Sequence, residues 1–147
     1  MAAPVLPRKL FGRYEVTEIL GDTATGVTYW AHDTLSGREV ALKILRGVSD
    51  SATLQRFYAQ YRKLAGTVHP NLIEILDVGD FEQDGQRQPY FVMPLLSGAT
   101  LDDLIRTASH LLTVERTVDI VFQACCGLQA AHDQGLVHGD VKPSNIF

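Results

Sequence analysis

His138-Gly139-Asp140-Val141-Lys142-Pro143-Ser144-Asn145 is the stretch that decides how the rest of the chain is read. Within eight residues it holds a carboxylate, an ammonium and a carboxamide. A glycine precedes the acid and a proline follows the lysine, the punctuation of a shaped loop rather than a solvated coil. The groups suit phosphate chemistry. A carboxylate such as Asp140 can orient a hydroxyl nucleophile, an ammonium such as Lys142 can offset charge on a transferring phosphoryl group, and the carboxamide oxygen of Asn145 can hold a hard cation such as Mg²⁺. A plain turn, in which Asp140 and Asn145 bond only their own backbone, uses the same residues. The surrounding chain decides between the two.

The run resembles the catalytic loop of protein kinases, usually written His-Arg-Asp-Leu-Lys-Pro-Glu-Asn, and the chain is read as a serine/threonine protein kinase domain of the bacterial type. The resemblance implies that Asp140 is the catalytic base, Lys142 a phosphate contact and Asn145 a magnesium ligand. His138 would help to pack the loop and move no proton. Gly139 stands where the family usually has an arginine. In many kinases that arginine answers a phosphate on the activation loop, so activity is not expected to be switched that way.

Composition is consistent with a globular fold. The 147 residues are 46% hydrophobic and 20% charged, ordinary values for a packed chain. That length suits one domain or two small lobes and is short for a whole kinase. A formal charge of −4 gives no basic footprint, so nucleic acid is not an expected partner. No apolar run approaches the length of a membrane span and the first residues carry Pro4, Pro7, Arg8 and Lys9, so a cytosolic protein, or a cytosolic part of a larger one, is expected. Cys125 and Cys126 are adjacent within a helical pattern, which disfavours a disulfide or a zinc site and suggests helix packing.

Residues 1–12 read as a flexible lead-in, and residues 13–96 as a nucleotide-binding lobe of five antiparallel strands and one helix. Alternation from Tyr14 to Leu20 marks the first strand, and Gly21-Asp22-Thr23-Ala24-Thr25-Gly26 a turn into the second, Val27 to Asp33. In kinases a glycine-rich loop covers the ATP phosphates here. Gly21 and Gly26 match its first and third glycines, while Thr23 replaces the middle one and narrows the backbone's freedom. The third strand, Glu39 to Leu45, places Ala41, Lys43 and Leu45 on one face and Val40, Leu42 and Ile44 on the other. Val40-Ala41-Leu42-Lys43 resembles the kinase Val-Ala-Ile-Lys, which implies Lys43 on the α and β phosphates and Ala41 against adenine.

A helix over Ser51 to Ala65 has the spacing of an amphipathic element and corresponds to helix C of the family. Counting back from His69-Pro70-Asn71, the glutamate that normally pairs with the strand lysine falls on Gln60. An amide accepts a hydrogen bond but brings no charge, so Lys43 would be held less firmly. Leu72 to Phe81 and Pro89 to Met93 read as the last two strands, joined near Asp84-Gly85. The resemblance makes Met93 the gatekeeper and gives adenine the backbone of Pro94 and Leu96; proline keeps the carbonyl that this position contributes.

Residues 97–147 read as the start of a helical second lobe. Thr100, followed by Asp102 and Asp103, opens a short helix, and Thr113 caps a long one from Val114 to Asp133 with Gly135 as its stop. The expectation is therefore an α+β, kinase-like fold with an incomplete helical lobe, which uses ATP and Mg²⁺ and acts on a protein substrate. The family's Asp-Phe-Gly and activation loop are not in the sequence, so this chain alone is expected to be inactive. The alternative is a pseudokinase or partial-kinase scaffold that works by binding nucleotide or protein, with self-association through the apolar stripe of the long helix.

Overall fold

The computed structural model describes residues 9–10, 12–48, 50–83 and 85–147. The chain divides into two compact units, Met1–Arg62 with Ile75–Leu95, and Lys63–Glu74 with Leu96–Phe147.

The first unit is a sheet with one helix. Its strands are β1 (Lys9–Leu10), β2 (Tyr14–Thr23), β3 (Gly26–Asp33), β4 (Arg38–Leu45), β5 (Asp77–Gln83) and β6 (Gln86–Pro94), and its helix is α1 (Ser51–Ala65). The strands lie in the order β1-β2-β3-β4-β6-β5, each antiparallel to its neighbour. The five expected strands are all present. To them the structure adds β1, in which Lys9 pairs with Glu15 and Leu10 with Tyr14, inside the stretch expected to be a lead-in. Residues 1–8 and 11 of that lead-in lie outside the described residues.

Most strand ends shift from expectation by one to five residues, β6 for example beginning at Gln86 instead of Pro89, and two of the shifts have a local reason. β2 runs on to Thr23, which pairs with Gly26, so the turn shrinks to Ala24-Thr25. Gly26 allows this because β3 lies hard against β4 there: a Cβ on Gly26 would sit 2.2 Å from the Ile44 carbonyl oxygen. β5 begins at Asp77 and not at Leu72. The alternation of Leu72 to Leu76 imitates a strand, yet the Leu72 N–H turns back to the His69 carbonyl (3.1 Å), and the chain enters the sheet where the Leu76 N–H reaches the Val92 carbonyl (2.8 Å).

The strand period of two builds the core. Val27, Tyr29 and Ala31 of β3 pack with Val40, Leu42 and Ile44 of β4, together with Tyr14, Phe81, Tyr90 and Val92. Each fully buried aliphatic or aromatic side chain here contributes about 1.5–3 kcal/mol. α1 starts where the Asp50 carboxylate accepts the Thr53 N–H (2.9 Å), and it buries Leu54 and Phe57. Tyr61 stacks on Phe91 of β6 with ring centroids 4.8 Å apart, and the Tyr58 hydroxyl donates to Asp80 of β5.

The second unit is helical. α2 (Leu101–Ala108) opens with a capping box: the Asp103 N–H donates to the Thr100 hydroxyl oxygen (3.1 Å) and the Thr100 N–H to the Asp103 carboxylate (3.2 Å). α3 (Val114–Asp133) is capped by Thr113, which accepts the Arg116 N–H (3.2 Å). Gly127 and Ala131 are its buried residues, while Val114, Val118, Val121 and Phe122 are exposed. Cys125 is also exposed, so it is not the packing residue that its helical position suggested.

Candidate functional site

The sheet register collects the residues expected to meet nucleotide. Directly opposed residues in an antiparallel ladder share a face. Lys43 lies opposite Thr28 on one side and Phe91 on the other, and Ala41 opposite Trp30 and Met93. Ala41 and Lys43, two apart on β4, therefore stand on one face with Met93 in the next strand. Ala41 is buried, whereas Lys43 and Met93 are half-buried. Pro94 ends β6 opposite Val40. Gly21 pairs with Thr28, and Gly26 closes the turn against Thr23. Leu96 falls in the second unit and is 45% exposed. Gln60 is exposed on α1, a helix whose sequence contains no aspartate or glutamate.

A cavity of about 220 Å³ lies elsewhere in the first unit, lined by Leu45, Arg46, Gly47, Val48, Gln86, Arg87 and Gln88. It includes none of the candidate catalytic, nucleotide-binding or metal-binding residues.

Asp140, Lys142 and Asn145 come together in the second unit. The Lys142 ammonium lies 2.8 Å from the Asp140 carboxylate. The Asn145 amide donates to the Asp140 carbonyl (2.7 Å) and to its carboxylate (3.1 Å). Lys142 first, and Asn145 after it, hold the Asp140 carboxyl below the usual carboxylate range. All three side chains are exposed.

Local backbone chemistry shapes this loop. Gly139 has φ +74°, a left-handed conformation that glycine adopts without a Cβ penalty. The next N–H, that of Asp140, donates to the His138 ring (3.2 Å), so His138 helps to set the loop. Pro143 starts a single 3₁₀ turn, Pro143–Asn145, in which the Asn145 N–H returns to the Lys142 carbonyl (2.9 Å). Downstream, the Leu101 N–H at the start of α2 donates to the Ile146 carbonyl (2.8 Å) and ties the end of the loop to that helix.

Sequence reading missed a charged cluster at the far end of the sheet. The Arg13 guanidinium bridges Asp33 and Asp77, and the Tyr14 hydroxyl donates to Asp77 (2.5 Å). Nothing local marks it, because the partners are 20 to 64 residues apart.

Fold and loop together are those of a protein kinase domain. The chain belongs to the protein kinase domain family, which it matches over residues 14–147. It is of the bacterial serine/threonine type. A probable serine/threonine-protein kinase of Streptomyces coelicolor is 37% identical over 143 residues, covering 96% of this chain and 21% of that protein. PknB of Mycobacterium tuberculosis is 35% identical over 145 residues, covering 96% of this chain and 23% of PknB. The crystal structure of a cysteine-to-alanine mutant of the Mycobacterium tuberculosis PknI kinase domain matches with a TM-score of 0.83 at 28% identity, over 97% of this chain and 57% of that one. The chain thus spans about a fifth of the length of the curated relatives it matches.

Proposed function

We propose that this chain is the nucleotide-holding and phosphoryl-transfer part of a serine/threonine protein kinase that moves the γ-phosphoryl group of ATP to a protein hydroxyl. The observation that carries the reading is the Asp140 carboxylate held at 2.8 Å by Lys142 and at 3.1 Å by Asn145. Asp140 accepts a hydrogen bond from the substrate hydroxyl and takes its proton as the new O–P bond forms and the bond from the γ-phosphorus to the β–γ bridging oxygen breaks, with ADP as the leaving group. Its lowered pKa suits it to orienting that hydroxyl more than to removing the proton beforehand. Lys142 faces the charge that develops on the transferring group. On β4, Lys43 holds the α and β phosphates beneath the turn of Gly21 and Gly26. Ala41 and Met93 then flank adenine, with the backbone of Pro94 and Leu96 beside it.

Asn145 fits a role in holding Mg²⁺: its amide nitrogen is committed to Asp140, which leaves the side-chain oxygen as the atom a hard cation takes. Bound Mg²⁺ supplies charge neutralisation at the phosphate oxygens. Among the described residues no helix is long and apolar enough to cross a membrane. With ATP as substrate, the site works in the cytoplasm.

A second reading, a kinase-like module that acts by contact, draws on α1, whose sequence carries Gln60 and no aspartate or glutamate, and on the exposed apolar residues of α3, through which the chain would self-associate. One experiment separates the two. Labelled phosphate transfer from ATP to a protein acceptor is measured with the longest natural product of the coding sequence, beside its Asp140→Asn variant. The kinase reading expects transfer that falls by about 10²–10⁴-fold in the variant. Nucleotide binding without transfer, with concentration-dependent sedimentation, sinks it in favour of the contact module.

A further inference from the structure

The β2–β3 turn is fastened from outside. Arg46, the residue after β4, sends its guanidinium to the Asp22 carboxylate (2.5 Å) and to the Thr23 carbonyl (2.6 Å). Its backbone N–H donates to the Thr25 carbonyl (3.0 Å). Within the turn, the Thr23 hydroxyl donates to the Gly26 carbonyl (3.0 Å) and lies 3.1 Å from the Thr25 hydroxyl. One arginine therefore grips three of the residues between Gly21 and Gly26.

The charges give this strap a consequence. Asp22 sits inside the segment that, on the function proposed above, lies over the phosphates. A bare carboxylate there would repel a triphosphate. Arg46 places a full positive charge directly on it, and each partner favours the charged form of the other: the guanidinium lowers the Asp22 pKa, and Asp22 raises that of Arg46. The side chains are 37% and 46% exposed, so salt reaches the pair. The bond to the Thr23 carbonyl acts on a second property, shape. Thr23 stands where kinases have their middle glycine, and fixing its carbonyl sets which way the neighbouring peptide units point.

We propose that Arg46 is a positioning residue for nucleotide: it cancels the charge of Asp22 and pins the Thr23 carbonyl, so that the β2–β3 turn meets a triphosphate without net negative charge. The role rests on the nucleotide reading, and the test keeps the two apart.

Binding of a fluorescent N-methylanthraniloyl-ATP with Mg²⁺ is measured for the intact chain at low ionic strength, in wild type, Arg46→Ala, Arg46→Lys, Asp22→Asn and the Asp22→Asn/Arg46→Ala double variant. Arg46→Ala is expected to bind about tenfold more weakly. Arg46→Lys should keep most of the affinity, since charge survives. The double variant should recover most of the loss, because the uncompensated carboxylate is gone, and a purely structural strap would give no such rescue. Asp22→Asn alone should bind at least as tightly as wild type, which also guards against a variant that merely misfolds. Wild-type affinity in Arg46→Ala, or a double variant as weak as the single one, overturns the role of Arg46 and leaves the nucleotide reading standing. A wild-type chain that binds no nucleotide overturns both.

Discussion

Arg13 grips both oxygens of Asp33, Nε to Oδ1 at 2.8 Å and the second guanidinium nitrogen to Oδ2 at 2.9 Å. Asp33 is only 4% exposed and is the buried charged residue among those described. Removing one partner of a buried pair leaves a charge without compensation. Arg13→Met is therefore expected to destabilise the first unit by about 3 kcal/mol, at the lower end of the range because the Ser36 hydroxyl (2.7 Å) and the Leu35 N–H (3.1 Å) still reach Asp33. A urea midpoint unchanged from wild type would refute this.

The same pair predicts a pH dependence. Arg13 foremost, then Ser36 and Leu35, holds the Asp33 carboxyl well below its ordinary value. A carboxylate whose pKa is depressed by folding contributes stability that is fully present above its unfolded pKa of about 4 and is lost as pH falls through the folded value. Wild type should lose urea resistance steadily below about pH 4. In Arg13→Met the largest cause of that lowering is gone, so the acid-side decline should flatten. Parallel declines in the two proteins would mean that other carboxylates carry the effect.

α1 is seated by rings. Tyr61 stacks on Phe91, which lies in register with Lys43, while Phe57 sits 4.4 Å from Tyr61 and the Tyr58 hydroxyl bonds Asp80. Removing the Tyr61 ring with Tyr61→Ala is expected to cost about 2 kcal/mol and to speed amide exchange along residues 51–65. Restoring an acid with Gln60→Glu should leave α1 exchange as it is, since Gln60 is exposed and the aromatic contacts do the holding. Strong protection of α1 by Gln60→Glu would instead assign the seating to an ion pair with Lys43.

What could be read in advance follows the range of the interactions. α1 and α3 begin and end where their spacing and caps place them, because Thr113, the apolar period and Gly135 act within a turn or two of the helix. The Asp140, Lys142 and Asn145 cluster was legible for the same reason, as the whole constellation fits in one loop and one 3₁₀ turn. The Asp22–Arg46 strap spans 24 residues and the Arg13–Asp77 bond 64, and no local pattern announces either. Leu72 to Leu76 misled because alternation records a preference for a pleated surface. It does not record whether a partner strand is there to accept the hydrogen bonds.

Gly127, which no sequence pattern marked, gives the sharpest packing test in the second unit. Glycine inside a helix is normally a liability of about 1 kcal/mol against alanine, so Gly127→Ala on α3 would by propensity alone stabilise the protein. The structure reverses the sign. A Cβ at this position would lie 2.3 Å from the Asn71 carbonyl oxygen and 3.0 Å from its carbonyl carbon, which are backbone atoms that cannot swing aside. The Asn71 amide also donates to Gln123 one turn earlier on α3 (3.1 Å), which holds the segment close. Gly127→Ala is therefore expected to cost about 1–3 kcal/mol, the usual range for overpacking. Faster amide exchange should appear at Asn71 and Leu72 in the variant. A rise in the urea midpoint on Gly127→Ala would show that the 69–72 segment yields easily and that α3 does not fix it.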